Sequence, residues 1–319
     1  MKNKILEITK FVVDNSKYVK INKKAIKEFC NDFGESHINH WLNESPFDFS
    51  KLSDKEKLHF LLIFNAISFS YWEEPKWMIE YKGEKFDGTW GMVASIGRAI
   101  ENKKPILNPN YLKDISEKEL REILKGDITI PLFESRLKIL REIGCILIRN
   151  FNGNFENLIK LSNGDALKLL NLLLAHFPSF NDFSPYKGKT IYFHKRAQLL
   201  ISDIYQMFGG KGYGKLGNLD KITACADYKL PMVLRKLGIL EYSKELMDKV
   251  DKKIEIIKNS EEEVEIRANT IWAVEFIKQE LKKRNSRINS IHINDHLWLF
   301  GQIKSPKDKP YHLTRTIAY

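Results

Sequence analysis

Apolar residues in this chain recur mostly at helical spacing. Three stretches open on the same signature, a Ser followed three residues later by a Glu: Ser53 with Glu56, Ser116 with Glu119, and Ser260 with Glu263. In such a pair the two side chains satisfy each other's orphan amides at a helix start. Helices are therefore expected over stretches ending near Trp72, Leu124 and Lys283. In the last of these, Ile266, Ala273, Val274, Ile277 and Leu281 keep helical register, and Glu263 with Arg267 adds an i,i+4 pair. Residues 166–177 are apolar nearly all round, the pattern of a central buried helix. After Ala197, the positions Leu200, Ile201, Ile204 and Phe208 repeat as one helical face. Period-two alternation is scarce, and short strands are expected only at residues 192–193 and 145–148. Loops are expected at 73–75, 102–109, 151–153, 181–188 and 209–217. With no repeat, linker or composition break, residues 1–319 read as one all-α domain with at most a few short strands.

Residues 220–243 break this regularity in an informative way. Asp227 falls on a short irregular segment between two helical runs. Pro231 fixes its own backbone and biases Leu230 away from helix, so a helix is expected to open at Pro231 and run through Val233, Leu234 and Leu237 to a stop at Gly238. An acid held just outside a helix, with Tyr228 beside it, suits a catalytic carboxylate facing a cavity. The same position also suits an ordinary helix cap.

Composition narrows the class. Hydrophobic content of 43% and charged content of 29% are those of a soluble globular protein. The net charge of +11 fits an anionic partner: nucleic acid, a membrane surface or a phosphorylated metabolite. The basic residues are spread among acids, however, so clusters such as Lys282-Lys283-Arg284 read as solvated helix ends. Cys30, Cys145 and Cys225 make no CxxC pair, which fits a reducing cytoplasmic setting without a disulfide framework or zinc site. No signal peptide is evident, and the run from Leu58 to Trp72 is too short and too interrupted to span a bilayer. Residues 209–217 include Gly-Gly-Lys-Gly-Tyr-Gly-Lys, which lacks P-loop spacing and reads as a connector. No HExxH pattern or histidine cluster calls for a metal.

Several motifs, in order, carry a resemblance. They include Phe69-Ser70-Tyr71-Trp72, Glu134-Ser135-Arg136, His194-Lys195-Arg196-Ala197-Gln198, Ala226-Asp227-Tyr228-Lys229-Leu230-Pro231, Leu297-Trp298 and a tail from His312 to Tyr319. The chain resembles the queuosine salvage family, the queuosine 5′-phosphate N-glycosylase/hydrolases, and the KRAQ and ADYxxP pair is its most specific part. The resemblance implies an all-helical fold similar to that of DNA base-excision glycosylases. It also implies hydrolysis of the N-glycosidic bond of queuosine 5′-monophosphate, which releases queuine. The implied partner is that small molecule, with no cofactor, no stable nucleic-acid complex and no membrane.

Chemistry then assigns roles. Departure of a base from ribose leaves positive charge at the anomeric carbon, which a nearby carboxylate stabilises or attacks. Queuine, a 7-deazaguanine, has no ring nitrogen at position 7 to protonate. The enzyme must therefore rely on the acid at the sugar and on hydrogen bonds to the departing base. Asp227 matches the family's catalytic Asp. Asp295, or Asn294 if the register shifts by one, is the candidate for reading the guanine-like edge, against the alternative of a helix-start residue. Cys225 stands where the family often has an aromatic and is read as lining the pocket. Lys195 and Arg196, at a helix start, are candidates for contact with the phosphate or the ribose, against the alternative of an exposed charged helix start. Trp72 is the aromatic expected to touch ligand, His40 a polar contact at the pocket mouth, and Arg315 a tail residue near the phosphate. Two other readings stay open: a glycosylase acting on a base within nucleic acid, and a noncatalytic helical RNA-binding module.

Overall fold

The computed structural model describes residues 4–34, 37–305 and 308–319. Among them, fourteen α-helices carry the architecture, accompanied by three two-stranded antiparallel ribbons. Ser53 and Ser116 form reciprocal boxes with Glu56 and Glu119, opening α3 (Asp54–Ile67) and α6 (Glu117–Ile123). The third box is incomplete. At the start of α13 (Glu261–Lys282) the Ser260 hydroxyl accepts the Glu263 N–H at 3.3 Å. The Glu263 carboxylate instead takes the Asn259 N–H at 3.0 Å and the Tyr319 hydroxyl at 3.0 Å.

α3 stops at Ile67, short of Trp72, because two buried arginines claim the carbonyls at its end. Arg196 donates to the carbonyls of Ala66 and Ser179, and Arg136 to those of Ile67, Phe69 and Ser70. Carbonyls in the last helical turn have no partner within the helix, so guanidinium groups there both bond them and oppose the helix dipole. Residues 68–72 then run as an irregular segment with Ser70 at φ 36°. The tail holds that strained residue in place: Ser70 N–H donates to the Tyr319 carbonyl at 2.8 Å, and Thr316 N–H to the Ser70 hydroxyl at 3.1 Å.

Two apolar clusters build the core. One gathers α3, α4 (Gly88–Glu101), α7 (Phe133–Phe151), α9 (Ala166–His176) and α10 (Lys195–Met207). The other gathers α2 (Lys23–Asp32), α11 (Lys229–Lys236), α13 and α14 (Ser290–Phe300). α13 serves both, with Val264, Ala268 and Ile271 in the first and Ile266, Val274 and Ile277 in the second. The central buried helix is thus α13, not the run at 166–177, where Lys168, Asn171 and Ala175 are exposed.

α13 is charged yet buried because its charges are partnered. Glu265 accepts the N–H groups of Lys17 and Tyr18 and the Tyr186 hydroxyl. Arg267 donates two hydrogen bonds to Asp182, at 2.8 and 2.6 Å, and one to the Ala226 carbonyl at 3.3 Å.

The ribbons are β1 (Val19–Ile21) with β6 (Leu240–Tyr242), β2 (Met78–Tyr81) with β3 (Glu84–Asp87), and β4 (Phe183–Tyr186) with β5 (Lys189–Tyr192). The strand expected at 192–193 is the end of β5, and its partner β4 occupies part of the expected loop at 181–188. Lys187 and Gly188 both have positive φ, which closes this hairpin in two residues. Residues 145–148 lie inside α7, where Leu147 faces the core. Among the described residues, no helix is long and apolar enough to cross a membrane.

Burial alone would raise the Asp182 carboxyl, but the Arg267 charge and its hydrogen bonds prevail and hold it below the usual carboxylate range. The stability from this pair is therefore complete above about pH 4, the unfolded value, and fades as acid titrates the folded carboxyl. Arg267→Met leaves Asp182 buried without its partner and should cost about 3–5 kcal/mol in urea unfolding at neutral pH. A loss below about 1 kcal/mol would show that the pair is not what holds these segments together.

Candidate active site

α11 begins at Lys229, two residues before the expected start, so Pro231 sits inside its first turn. Proline is tolerated there because first-turn amides have no acceptor within the helix. The amides that do exist at this end, those of Lys229 and Leu230, donate to one oxygen of Asp227, Oδ1, at 2.8 and 3.0 Å. Asp227 is thus a cap, and the capping alternative describes half of its carboxylate. Its Oδ2 accepts no hydrogen bond from the described residues. The side chain is 9% exposed and lines two adjoining cavities.

Both are partly open to solvent, and the empty space is about 730 Å³ in the outer cleft and about 400 Å³ in the inner cavity. They share a wall made of Ser68, Thr89, Lys195, Asp227 and Trp298. The inner cavity is flanked by aromatic rings and backed by polar groups. Trp41 lies 5.3 Å from Phe64 and 5.7 Å from Trp298, ring centre to ring centre. Opposite them stand Cys225, Asn294 and Asp295. Asn294 has both amide atoms in use. Its Oδ1 accepts the Cys225 N–H at 2.9 Å, and its Nδ2 donates to Asp295 Oδ1 at 3.2 Å. Burial raises the Cys225 thiol well above its ordinary value, so it lines the cavity as a small neutral group.

The outer cleft is cationic. Lys76, Lys195 and Lys229 line it, together with Gly88, Thr89 and Trp90 at the start of α4. The residue before this helix, Asp87, makes no side-chain cap and pairs instead with Lys76 at 2.8 Å, which leaves the α4 amides uncapped by it. Lys195 is 6% exposed, and its ammonium has no ion-pair partner among the described residues. Its own N–H is spent on Asp182 Oδ2 at 3.1 Å, so the start of α10 does not offer that amide to a ligand. Burial lowers the Lys229 ammonium from its ordinary value.

The structure brings Asp227, Tyr228, Lys195 and Trp72 together on the outer cleft, and Cys225, Asn294 and Asp295 around the inner cavity. Three expected residues lie elsewhere. Arg196 lines neither cavity: it is buried, stacked on Phe69 and Phe180, and its donors serve the Ala66 carbonyl at the end of α3 and the Ser179 carbonyl. Arg315 stacks on Trp72 at 4.6 Å and pairs with Glu73 at 3.1 Å, so it braces the rim. His40 is not at the mouth but buried behind Asp295. The loop at 209–217 does not line either cavity.

The sequence reading passed over Lys229, although it stands within the ADYKLP motif. It also passed over the α4 start, where Asp87-Gly88-Thr89 follows a tight turn. Asp203 was missed as well. It is fully buried and accepts Trp41 Nε1–H at 2.9 Å and Asn65 Nδ2–H at 2.8 Å. The available signal was a lone acid on the apolar face of Leu200, Ile201 and Ile204.

Comparison with known proteins identifies the family. Residues 49–319 match the family described as queuosine salvage protein. A Sphaerobacter thermophilus protein named queuosine 5′-phosphate N-glycosylase/hydrolase is 37% identical over 318 residues, spanning 99% of this chain and 97% of that one. Proteins of the same name from Mus musculus and Schizosaccharomyces pombe are 33% and 32% identical, spanning 98% and 93% of this chain and 98% and 90% of their own lengths. By both measures this chain is a member of the queuosine salvage protein family.

Proposed function

We propose that this chain, acting as one domain in the cytoplasm, hydrolyses the N-glycosidic bond of queuosine 5′-monophosphate and releases queuine. The observation that carries this reading is the place of Asp227. One oxygen is anchored to the start of α11, and the carboxylate lies where an aromatic inner cavity meets a cationic outer cleft. A nucleotide has the same order of parts: a flat base, a ribose and a dianion. With the base in the inner cavity, lying against Trp41 and Trp298, the anomeric carbon comes to Asp227 and the phosphate to Lys229, Lys76 and the α4 amides.

Chemistry follows from that placement. As the C1′–N9 bond breaks, its electron pair leaves with the base, and Asp227 Oδ2 stabilises the positive charge on the sugar. Water adds its oxygen to C1′, and the base acquires a proton to leave as neutral queuine. Asp295 meets the amino and ring N–H groups of the base, Asn294 lines the cavity beside it, and Lys195 on the shared wall stands level with the ribose. Cys225 and Tyr228 shape the walls beside them. The aromatic inner cavity beside Asp227, together with relatives named for queuosine 5′-phosphate, favours this reading over a base glycosylase on nucleic acid or an RNA-binding module.

Incubation with queuosine 5′-monophosphate should yield free queuine by mass spectrometry, and no release would overturn the proposal. Asp227→Asn keeps an amide oxygen for the Lys229 and Leu230 N–H groups, so the fold should survive while turnover falls by about 10²–10³ or more. Retention of a tenth of the activity would remove Asp227 from the chemistry. Lys229→Ala should weaken the monophosphate by about 1.5–3 kcal/mol, tenfold or more in KM, and leave the free nucleoside unaffected. Equal loss for both substrates would place the phosphate elsewhere.

A further inference from the structure

The proton that the departing base must acquire has no source among the groups assigned so far. Queuine leaves through a pyrrole-type nitrogen, which becomes a strong base once the electron pair of the C1′–N9 bond settles on it. No ring nitrogen at position 7 can be protonated in advance to ease that departure. A donor at N9 itself is the direct route, and general acids of this kind contribute about 10²–10⁴ in rate. The C1′–N9 bond joins the base to the sugar, so it crosses where the two cavities meet. Five residues line both spaces there: Ser68, Thr89, Lys195, Asp227 and Trp298. Hydroxyl and indole groups hold their protons near neutral pH, and Asp227 serves as the anion. Lys195 is the cation of the set.

Other donors are worse placed or hold their protons more tightly. Lys76 and Lys229 line the outer cleft alone. Tyr228, also on that cleft alone, has its hydroxyl pushed well above the ordinary value, by burial first. Burial likewise raises the Cys225 thiol in the inner cavity, and the Lys195 charge works against that rise, so the ammonium is felt inside the base cavity. The fold holds this lysine without neutralising it. It is buried, and its ammonium makes no ion pair among the described residues, Asp227 included. Asp182 takes only its backbone N–H, at 3.1 Å. One turn along α10, the buried Gln198 donates to Thr223 Oγ1 at 2.8 Å and accepts the Thr223 N–H at 2.9 Å. Thr223 stands four residues before Asp227, so lysine and acid are fixed on one wall as separate charges. A buried charge without a partner is costly, and here the partner arrives with the substrate.

We propose that Lys195 is the general acid of the reaction. As the C1′–N9 bond breaks, its electron pair goes to N9, and a proton passes from the Lys195 ammonium to the same atom. Asp227 Oδ2 faces the positive sugar meanwhile. Water then bonds through its oxygen to C1′, and the proton it sheds returns the Lys195 amine to ammonium. Substrate and one water become queuine and ribose 5-phosphate, and the protein ends with the protons it began with. This inference rests on the proposed reaction and adds the group that completes it.

The test separates a proton from a charge. Unmodified protein, Lys195→Ala, Lys195→Arg and Asp227→Asn are assayed on two substrates. One is queuosine 5′-monophosphate; the other is 4-nitrophenyl β-ribofuranoside 5-phosphate, whose nitrophenolate departs without protonation. Lys195→Ala should lower kcat for queuine release by about 10²–10⁴ and scarcely alter nitrophenol release. Asp227→Asn should lower both. Lys195→Arg keeps the charge but does not give up a proton, so it should be as slow as Lys195→Ala in releasing queuine. Ethylammonium ions should restore queuine release to Lys195→Ala, and tetramethylammonium ions, which carry charge without a proton, should not.

Equal losses on the two substrates, or near-full queuine release by Lys195→Arg, would each overturn the proposal and make Lys195 a binding or electrostatic contact. Where the unmodified protein leaves the nitrophenyl substrate intact, the two ammonium ions decide, and no difference between them overturns it. Lys195→Met, nearer to lysine in shape, carries the comparison of substrates if Lys195→Ala does not fold. Failure of the unmodified protein to release queuine would remove the reaction and this step together, whereas the outcomes above leave the reaction standing.

Discussion

The buried pair of Arg267 and Asp182 is the constraint on which the site depends. Its guanidinium reaches the Ala226 carbonyl immediately before Asp227, and its carboxylate partner takes the Lys195 amide. One interaction on α13 therefore fixes two site residues that lie far apart in sequence. Stripping both ions of water is costly, and the bidentate geometry with bonds to remaining donors offsets that cost. An apolar pair could stabilise the fold equally well but would not set the separation between the acid and the lysine. Glu263, also buried and 3.6 Å from Arg267, has its carboxyl raised by burial, in keeping with Asp182 as the closer partner.

A second set of buried cations shapes the opposite wall. Arg136 and Arg196 make no ion pair among the described residues and spend their donors on carbonyls instead. Burial lowers both guanidinium groups to about 10, still charged at neutral pH. The effect is to end α3 and lay residues 68–72 along the cleft, where Ser68, Phe69 and Trp72 form its side. The tail locks this segment through Ser70. Sequence motifs that look like ligand contacts thus act by shaping backbone.

Local rules were the legible part of the sequence. Ser53 and Ser116 open helices as their spacing requires, and the face of Leu200, Ile201 and Ile204 is buried as its period implies. Asp227, Lys195, Asn294 and Asp295 were found through motif order, and the structure gathers them around two adjoining cavities. What stayed hidden depends on partners distant in the chain. The central burial of α13 was not legible, because its charges were visible while Asp182, Tyr186 and the Lys17 amide that satisfy them were not. Arg196 looked available to phosphate because the open end of α3 could not be seen. The β4–β5 hairpin escaped because Lys187-Gly188 is an uncommon pair for a two-residue turn.

The anchoring of Asp227 by Oδ1 has a stereochemical consequence. A carboxylate tethered through one oxygen to two amides cannot pivot about its terminal bond without surrendering both. Its other oxygen therefore points along a fixed line, and any approaching ribose must present a single face to it. A nucleoside of inverted anomeric configuration, seated by the same base and phosphate, would turn its leaving group toward the acid. In the proposed reaction, handedness at the sugar would thereby be selected by a helix terminus, before any bond begins to stretch.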